Sequence, residues 1–214
     1  SYILDAIRIL RESEGNTKYQ VYAVVAPSIA GQFGARVGQV VSAIKQLGFR
    51  DVVEAALGAD MVAYKEAAEL VEKGFLTSSC CPAFVNMIRK HFPRLQPHVS
   101  TTVSPMAALS RWLREKYPQH KVVFIGPCVA KKTEEIEGGP DYVLTTEEIV
   151  ALLDARKIDP EQMEDAEQEA SAYGKGFASS GGVTGAVMKA IAEMEGEVPA
   201  ISAQRCNGAA ECKK

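Results

Sequence analysis

The sequence predicts an α/β domain in two lobes, each lobe a small, mainly parallel sheet flanked by helices. Three observations carry that prediction. Residues 19–26 (YQVYAVVA) and 121–125 (KVVFI) are unbroken apolar, β-branched runs, the pattern of strands covered on both faces. Segments of helical periodicity alternate with the strand-like runs, which is the order that builds parallel sheets. The length of 214 residues exceeds one typical domain and falls short of two large ones. The lobes would join near residues 118–121, dividing the chain into residues 1–118 and 119–214.

Each element has its own signal. The first strand is closed by Pro27, and residues 31–34 (GQFG) loosen the chain. Over residues 35–47 the valines, Ile44 and Leu47 recur at helical spacing, with Gly48 where a helix-ending glycine belongs. Residues 51–56 read as a short strand, and residues 59–73 (ADMVAYKEAAELVEK) as an amphipathic helix stopped by Gly74. Residues 75–78 are expected as a strand running into Cys80 and Cys81. After Pro82, the positions Phe84, Val85, Ile88 and His91 mark a helix; a proline-punctuated connection over 93–97 and a helix over 105–117 follow. The 121–125 strand delivers Gly126-Pro127-Cys128. A strand at 142–144 leads to Thr145, a good N-cap, with Glu147 and Glu148 in the first turn of a helix reaching about Ala155. The acidic stretch 159–174 reads as an exposed excursion. Residues 177–185 (FASSGGVTG) form a Gly and Ser loop opening a helix over 186–195, and residues 199–203 a last short strand.

Composition excludes several function classes. With 24 Lys and Arg against 27 Asp and Glu, a net charge of -3 and no basic block, nucleic acid is not an expected partner. No apolar run approaches the roughly 20 residues that span a bilayer, so no membrane role is expected. The first eleven residues carry alternating charges and no signal-peptide core. Five cysteines, an odd number with two adjacent, fit thiols kept reduced in a cytoplasm better than a secreted disulfide framework. The chain begins with serine, so an intracellular protein or a piece of one is expected.

The chemistry gathers at Cys80, Cys81 and Cys128. Buried cysteine is often only a small hydrophobe, and on residue types alone that account of Cys80-Cys81 stands. The functional account has one thiolate binding a soft metal or iron-sulfur cluster while its neighbour, pointing elsewhere, serves as acid, base or redox thiol. Side chains of adjacent residues in an extended segment diverge, so the pair is a poor chelator of one metal. Around Cys128, Pro127 fixes the turn, and Lys131 could return its ammonium to an anionic ligand beside the sulfur. Lys132 reads as solvated surface.

At these residues the chain resembles a known family. Residues 77–85 (TSSCCPAFV) and 125–134 (IGPCVAKKTE) are similar to the first two signature segments of the iron-only, or FeFe, hydrogenases. Residues 25–34 (VAPSIAGQFG) resemble that family's strand and loop over the active-site iron pair, and residues 177–188 its Gly-rich loop and helix. The resemblance implies Cys81 and Cys128 as ligands of the cubane 4Fe-4S half of the H-cluster. It implies Cys80 as the thiol exchanging protons with the bridging amine of the di-iron subcluster, and Lys131 as a hydrogen-bond donor to an iron-bound cyanide. Ala26, Pro27 and Ser28 would line the other cyanide, Phe177 would contribute to the cofactor pocket, and Glu66, Glu69 and Ser100 would form a proton path. The two glutamates do share a helix face at i, i+3; on their own they read equally well as exposed carboxylates. The implied activity is reversible reduction of protons to H2 with electrons from ferredoxin or fused ferredoxin-like modules, cluster-maturation proteins being further partners.

Two departures qualify it. The family's third segment, a Glu-x-Met-x-Cys with a second cysteine four residues on, has no match; Cys206 and Cys212 lie in a different context and at a weakly diagnostic spacing. Gly126 stands where many catalytic members carry methionine. The expectation is a domain cut before the third segment, supplying two of four cubane thiolates, with a labile cluster and an inactive fragment. Alternatives are a sensory or regulatory relative, toward which Gly126 points, and a non-hydrogenase relative serving iron-sulfur assembly.

Overall fold

The computed structural model describes residues 2–134, 138–196, 200–203 and 208–211. Four strands, β1 (Gln20–Val25), β2 (Asp51–Glu54), β3 (His120–Ile125) and β4 (Tyr142–Leu144), pair in parallel in the order β2-β1-β3-β4. In chain order the helices are α1 (Tyr2–Glu12), α2 (Val37–Gln46), α3 (Ala55–Lys73), α4 (Pro82–His91), α5 (Pro105–Lys116), α6 (Thr146–Ala155), α7 (Ala172–Gly176) and α8 (Gly182–Glu195).

The unbroken apolar runs behave as their composition requires. Alternate residues Val21, Ala23 and Val25 of β1, with Val123 and Ile125 of β3, pack on α1, α2 and α6. Tyr22, Val24, Val122 and Phe124 face Met106, Leu109 and Leu113 of α5. A parallel sheet buried on both faces needs apolar residues at every position, which is why neither strand alternates. A third cluster joins α3 to α8 through Ala63, Ala67, Ala186 and Ala190, small residues that let the two helices approach. α3 also meets α5 closely: a Cβ on Gly58 would lie 2.2 Å from the Pro105 carbonyl oxygen.

The α/β class with helix-flanked parallel strands is what forms, but the strands expected in two sheets are joined in one. β1 pairs with β3 along its whole length, so the two halves of the chain share the sheet. Residues 75–78 are not a strand, because among the described residues their pairing is a single bridge, Thr77 to Val99, held by two backbone bonds of 2.8 Å (Thr77 N–H to His98 O and Ser100 N–H to Thr77 O). Residues 200–203 have no regular structure, and Pro199 lies outside the described residues. The excursion over 159–174 is a docked strap. Gln39 Nε2 donates to the Glu161 and Met163 carbonyls at 3.0 and 3.1 Å, and Glu54 Oε2 accepts from the backbone of Glu169 and Ala170 at 3.0 and 3.2 Å. Helix α1, which the periodicity of the sequence did not single out, buries Ala6 and Ile9 and covers the edge strand β4.

Other local signals hold. Gly74 closes α3 at φ +72°, and Thr145 with Glu148 forms a reciprocal capping box at the start of α6. No helix among the described residues is long and apolar enough to cross a membrane.

Candidate active site

The carboxyl ends of β1 and β3 and the connection from α3 to α4 meet at one end of the sheet, where open α/β sheets place ligands. Ala26 continues β1 by donating its N–H to the Ile125 carbonyl at 2.8 Å. Pro27 then opens the 3-10 turn Pro27–Gly31, which Ile29 anchors in the core while Pro27 and Ser28 stay half-buried. Beside it, a Cβ on Gly126 would stand 3.0 Å from Ala26 Cβ and 3.0 Å from the Phe124 ring, so any side chain there requires a small shift of both.

Cys128 heads the 3-10 turn Val129–Thr133, and Cys81 is the N-cap of α4, whose first helical residue is Pro82. Both thiols are exposed, and α4 packs against the turn that follows Cys128. Lys131 ties the two loops: its Nζ donates 2.8 Å to the Cys80 carbonyl and pairs with Glu134, with the two side chains only 13% and 9% exposed. Lys132 is not the solvated residue expected. Its Nζ is held by both Glu148 carboxylate oxygens at 2.8 and 2.7 Å and lies 5.7 Å from the Tyr2 ring centre.

Behind the thiols runs a row of polar side chains. Ser78 Oγ lies 3.2 Å from Cys80 Sγ and 3.2 Å from Glu66 Oε1. Ser100 is within hydrogen-bonding reach of Glu66 and donates to Glu69 Oε2 at 2.8 Å. Glu69 also accepts from Thr101 N–H at 3.0 and 3.1 Å, Thr101 Oγ1 at 3.1 Å and Lys73 Nζ at 2.7 Å.

The environments of the two carboxylates differ in kind. Glu66 is 1% exposed, and burial pushes its carboxyl up from the usual range. Burial acts upward on Glu69 too, but the bonds from Lys73, Thr101 and Ser100 outweigh it and hold that carboxyl at about 2. Burial likewise pushes the Cys80 thiol up, with the Ser78 hydroxyl working against it.

The residues expected to work together are therefore partly assembled. Cys80, Glu66, Ser100 and Glu69 share one hydrogen-bonded row, and Cys81, Cys128 and Lys131 lie on its outer side. Phe177 packs instead into the apolar cluster between α3 and α8. Cys206 and Cys212 lie outside the described residues. Sequence reasoning missed Ser78, Thr101 and Glu134. For Ser78 a signal existed, since serine two residues before another residue commonly caps its backbone N–H, as here from Cys80 N at 3.3 Å.

Two exposed thiols on separate, touching loops, with an ammonium fixed between them, fit two ligands of an anionic iron-sulfur cluster. Among the described residues no group of three or more His, Cys, Asp or Glu side chains could hold a metal ion, so the remaining ligands of such a cluster are not supplied there.

Comparison with known proteins agrees with this arrangement. Residues 19–214 match the family described as iron only hydrogenase large subunit, C-terminal domain. The chain is 31% identical over 205 residues to iron hydrogenase 1 of Clostridium pasteurianum (79% of this chain, 36% of the relative). It is 32% identical over 208 residues to the periplasmic Fe hydrogenase large subunit of Nitratidesulfovibrio vulgaris (81% and 49%). A cytosolic Fe-S cluster assembly factor, NAR1 of Eremothecium gossypii, matches at 32% over 147 residues (62% and 33%). Among solved structures, a variant of the FeFe-hydrogenase HydA1 of Chlamydomonas reinhardtii superposes with a TM-score of 0.74 at 25% identity, covering 90% of this chain and 58% of that one. The chain thus spans between 33% and 49% of the length of these curated relatives. With nearly all of its length matched, it belongs to the family of iron-only hydrogenase catalytic-type domains.

Proposed function

We propose that the chain is part of the H-cluster domain of an FeFe hydrogenase, serving reversible reduction of protons to H2 with electrons from ferredoxin or a fused ferredoxin-like module. The observation that carries this reading is the row from Cys80 through Ser78, Glu66 and Ser100 to Glu69, standing directly behind two exposed thiols. A structural cysteine pair has no need of a buried carboxyl connected to it by hydroxyls.

In this reading Cys81 and Cys128 hold the 4Fe-4S half of the cluster, whose di-iron subcluster supplies the redox chemistry when bound. Lys131 presents a fixed ammonium at its edge, and Ala26, Pro27 and Ser28 form the opposite wall. Cys80 Sγ holds the proton nearest the cluster, and Glu66 takes it inward. Burial moves Glu66 toward the operating pH, as a proton carrier requires, whereas Glu69, held at about 2, stays ionised and orients Ser100 and Thr101. The three free thiols support a reducing, cytoplasmic setting. A sensory role is the second reading, favoured by Gly126, which presents no side chain to the site.

The test is anaerobic reconstitution with iron and sulfide, followed by maturation with the di-iron cofactor and assay of H2 from reduced viologen. Cys81→Ala and Cys128→Ala are expected to lose iron. Cys80→Ala is expected to keep iron and lose most turnover; iron loss in that variant would reverse the roles of the two adjacent thiols. A loaded wild-type protein that evolves no H2 would leave the assembly or sensory reading in its place.

A further inference from the structure

We propose that Ser78 Oγ is the direct proton relay between Cys80 Sγ and Glu66 Oε1, with no water between them. The inference rests on the proton-row reading above and deepens it. A serine hydroxyl has one O–H to donate and two lone pairs to accept with. Around Ser78 three partners account for all three: Cys80 N–H at 3.3 Å, Cys80 Sγ at 3.2 Å and Glu66 Oε1 at 3.2 Å. The backbone N–H can only donate, and a carboxylate oxygen can only accept. The single hydroxyl proton is therefore drawn to Glu66, and the remaining lone pair faces the Cys80 S–H. The bonding capacity of the oxygen is filled, and its orientation is fixed by its neighbours.

That arrangement is polarised for transfer. As the Cys80 S–H bond breaks, an O–H bond forms on Ser78; the original Ser78 O–H breaks as one forms on Glu66 Oε1. The net change is thiol plus carboxylate to thiolate plus carboxylic acid, with the serine neutral before and after. The next hydroxyl runs the same way, since Ser100 accepts from Thr102 N–H at 3.1 Å and donates to Glu69 at 2.8 Å. Ser79 cannot substitute, because its hydroxyl is committed to the Thr102 carbonyl on the other side of the loop.

The experiment has two readouts. In the protein without cluster, the S–H stretching band of Cys80 is isolated by infrared difference against Cys80→Ala. Ser78→Ala is expected to shift that band to the higher frequency of a free thiol, and Ser78→Thr, which keeps the hydroxyl, to leave it near its wild-type position. In the matured protein, Ser78→Ala is expected to lower kcat about 100-fold, the low end of what a positioned proton-transfer group contributes, with KM for the electron donor unchanged and Ser78→Thr restoring most of the rate. An S–H band identical in wild type and Ser78→Ala would overturn the proposal, as would undiminished kcat in a folded Ser78→Ala protein. A matured wild type without H2 evolution would instead overturn the hydrogenase reading, and the infrared comparison would still decide whether the hydroxyl bonds the thiol.

Discussion

Glu66 and Glu69 sit one turn apart on α3, yet removing their charges should change stability in opposite directions. For Glu69 the folded carboxyl lies at about 2 against an unfolded value near 4.5, so the folded state favours the ionised form. A displacement of that size corresponds to ~3 kcal/mol unscreened. Lys73 is 30% exposed, and solvent screening reduces the contribution to about 1–2 kcal/mol. It is fully present above pH 4.5 and lost as pH falls toward 2. Glu69→Gln should therefore cost about 1–2 kcal/mol at pH 7, and the deficit should shrink below pH 4.5. For Glu66 burial raises the folded value, so the folded state favours the neutral acid and loses stability as pH rises through that value. Glu66→Gln should match wild type at low pH and become the more stable protein as pH increases. Urea unfolding of the three proteins across a pH series measures both effects. Equal losses from the two substitutions, or a pH-independent deficit for Glu69→Gln, would refute the assignment of opposite environments.

Three further outcomes follow from packing. Gly58→Ala places a Cβ 2.2 Å from the Pro105 carbonyl oxygen and should destabilise by about 1–3 kcal/mol in guanidinium unfolding, because backbone rather than a flexible side chain must move. Gly38→Ala puts a Cβ 2.2 Å from Asp165 Oδ1 and 2.3 Å from the Ala166 carbonyl; it should lift the strap and speed protease cleavage within residues 159–171 at least several-fold. Thr145→Ala removes one half of the α6 capping box and should cost about 1 kcal/mol by the same unfolding assay, with α6 exchanging amide hydrogens faster at its first turn.

Much of the fold was legible because local chemistry decides it. The all-apolar runs around Val24 and Val123 could only be strands covered on both faces, and Gly74 and Thr145 mark helix ends by backbone and capping requirements. What stayed hidden depends on partners. A buried run does not say which strand lies beside it, so the pairing of β1 with β3 was not visible. Residues 75–78 have strand-like composition but pair only through the Thr77–Val99 bridge among the described residues. The acidic strap looked free because its anchors are backbone groups, such as the N–H of Ala170 on Glu54, which composition does not reveal. At the site, the thiols announced themselves by motif. The commitment of Lys131 to the Cys80 carbonyl and the place of Ser78 arise only when α3, the Cys80 loop and the turn after Cys128 are brought together.

The two thiol loops are held by different parts of the molecule. Cys128 leaves β3, a central strand paired on both sides and among the most deeply buried elements. Cys81 is positioned at one remove: α3 docks on α5, Thr77 bridges to Val99, and Ser79 and Ser100 fix the loop from beneath. The buried contact that crosses from one loop to the other is Lys131 Nζ on the Cys80 carbonyl, stiffened by Glu134. A change at the α3–α5 contact should thus displace Cys80, Cys81 and the Glu66 row together while leaving Cys128 in place. The distance between the thiols and the alignment of the proton row are consequently set by the same helix docking, so one packing interface governs both.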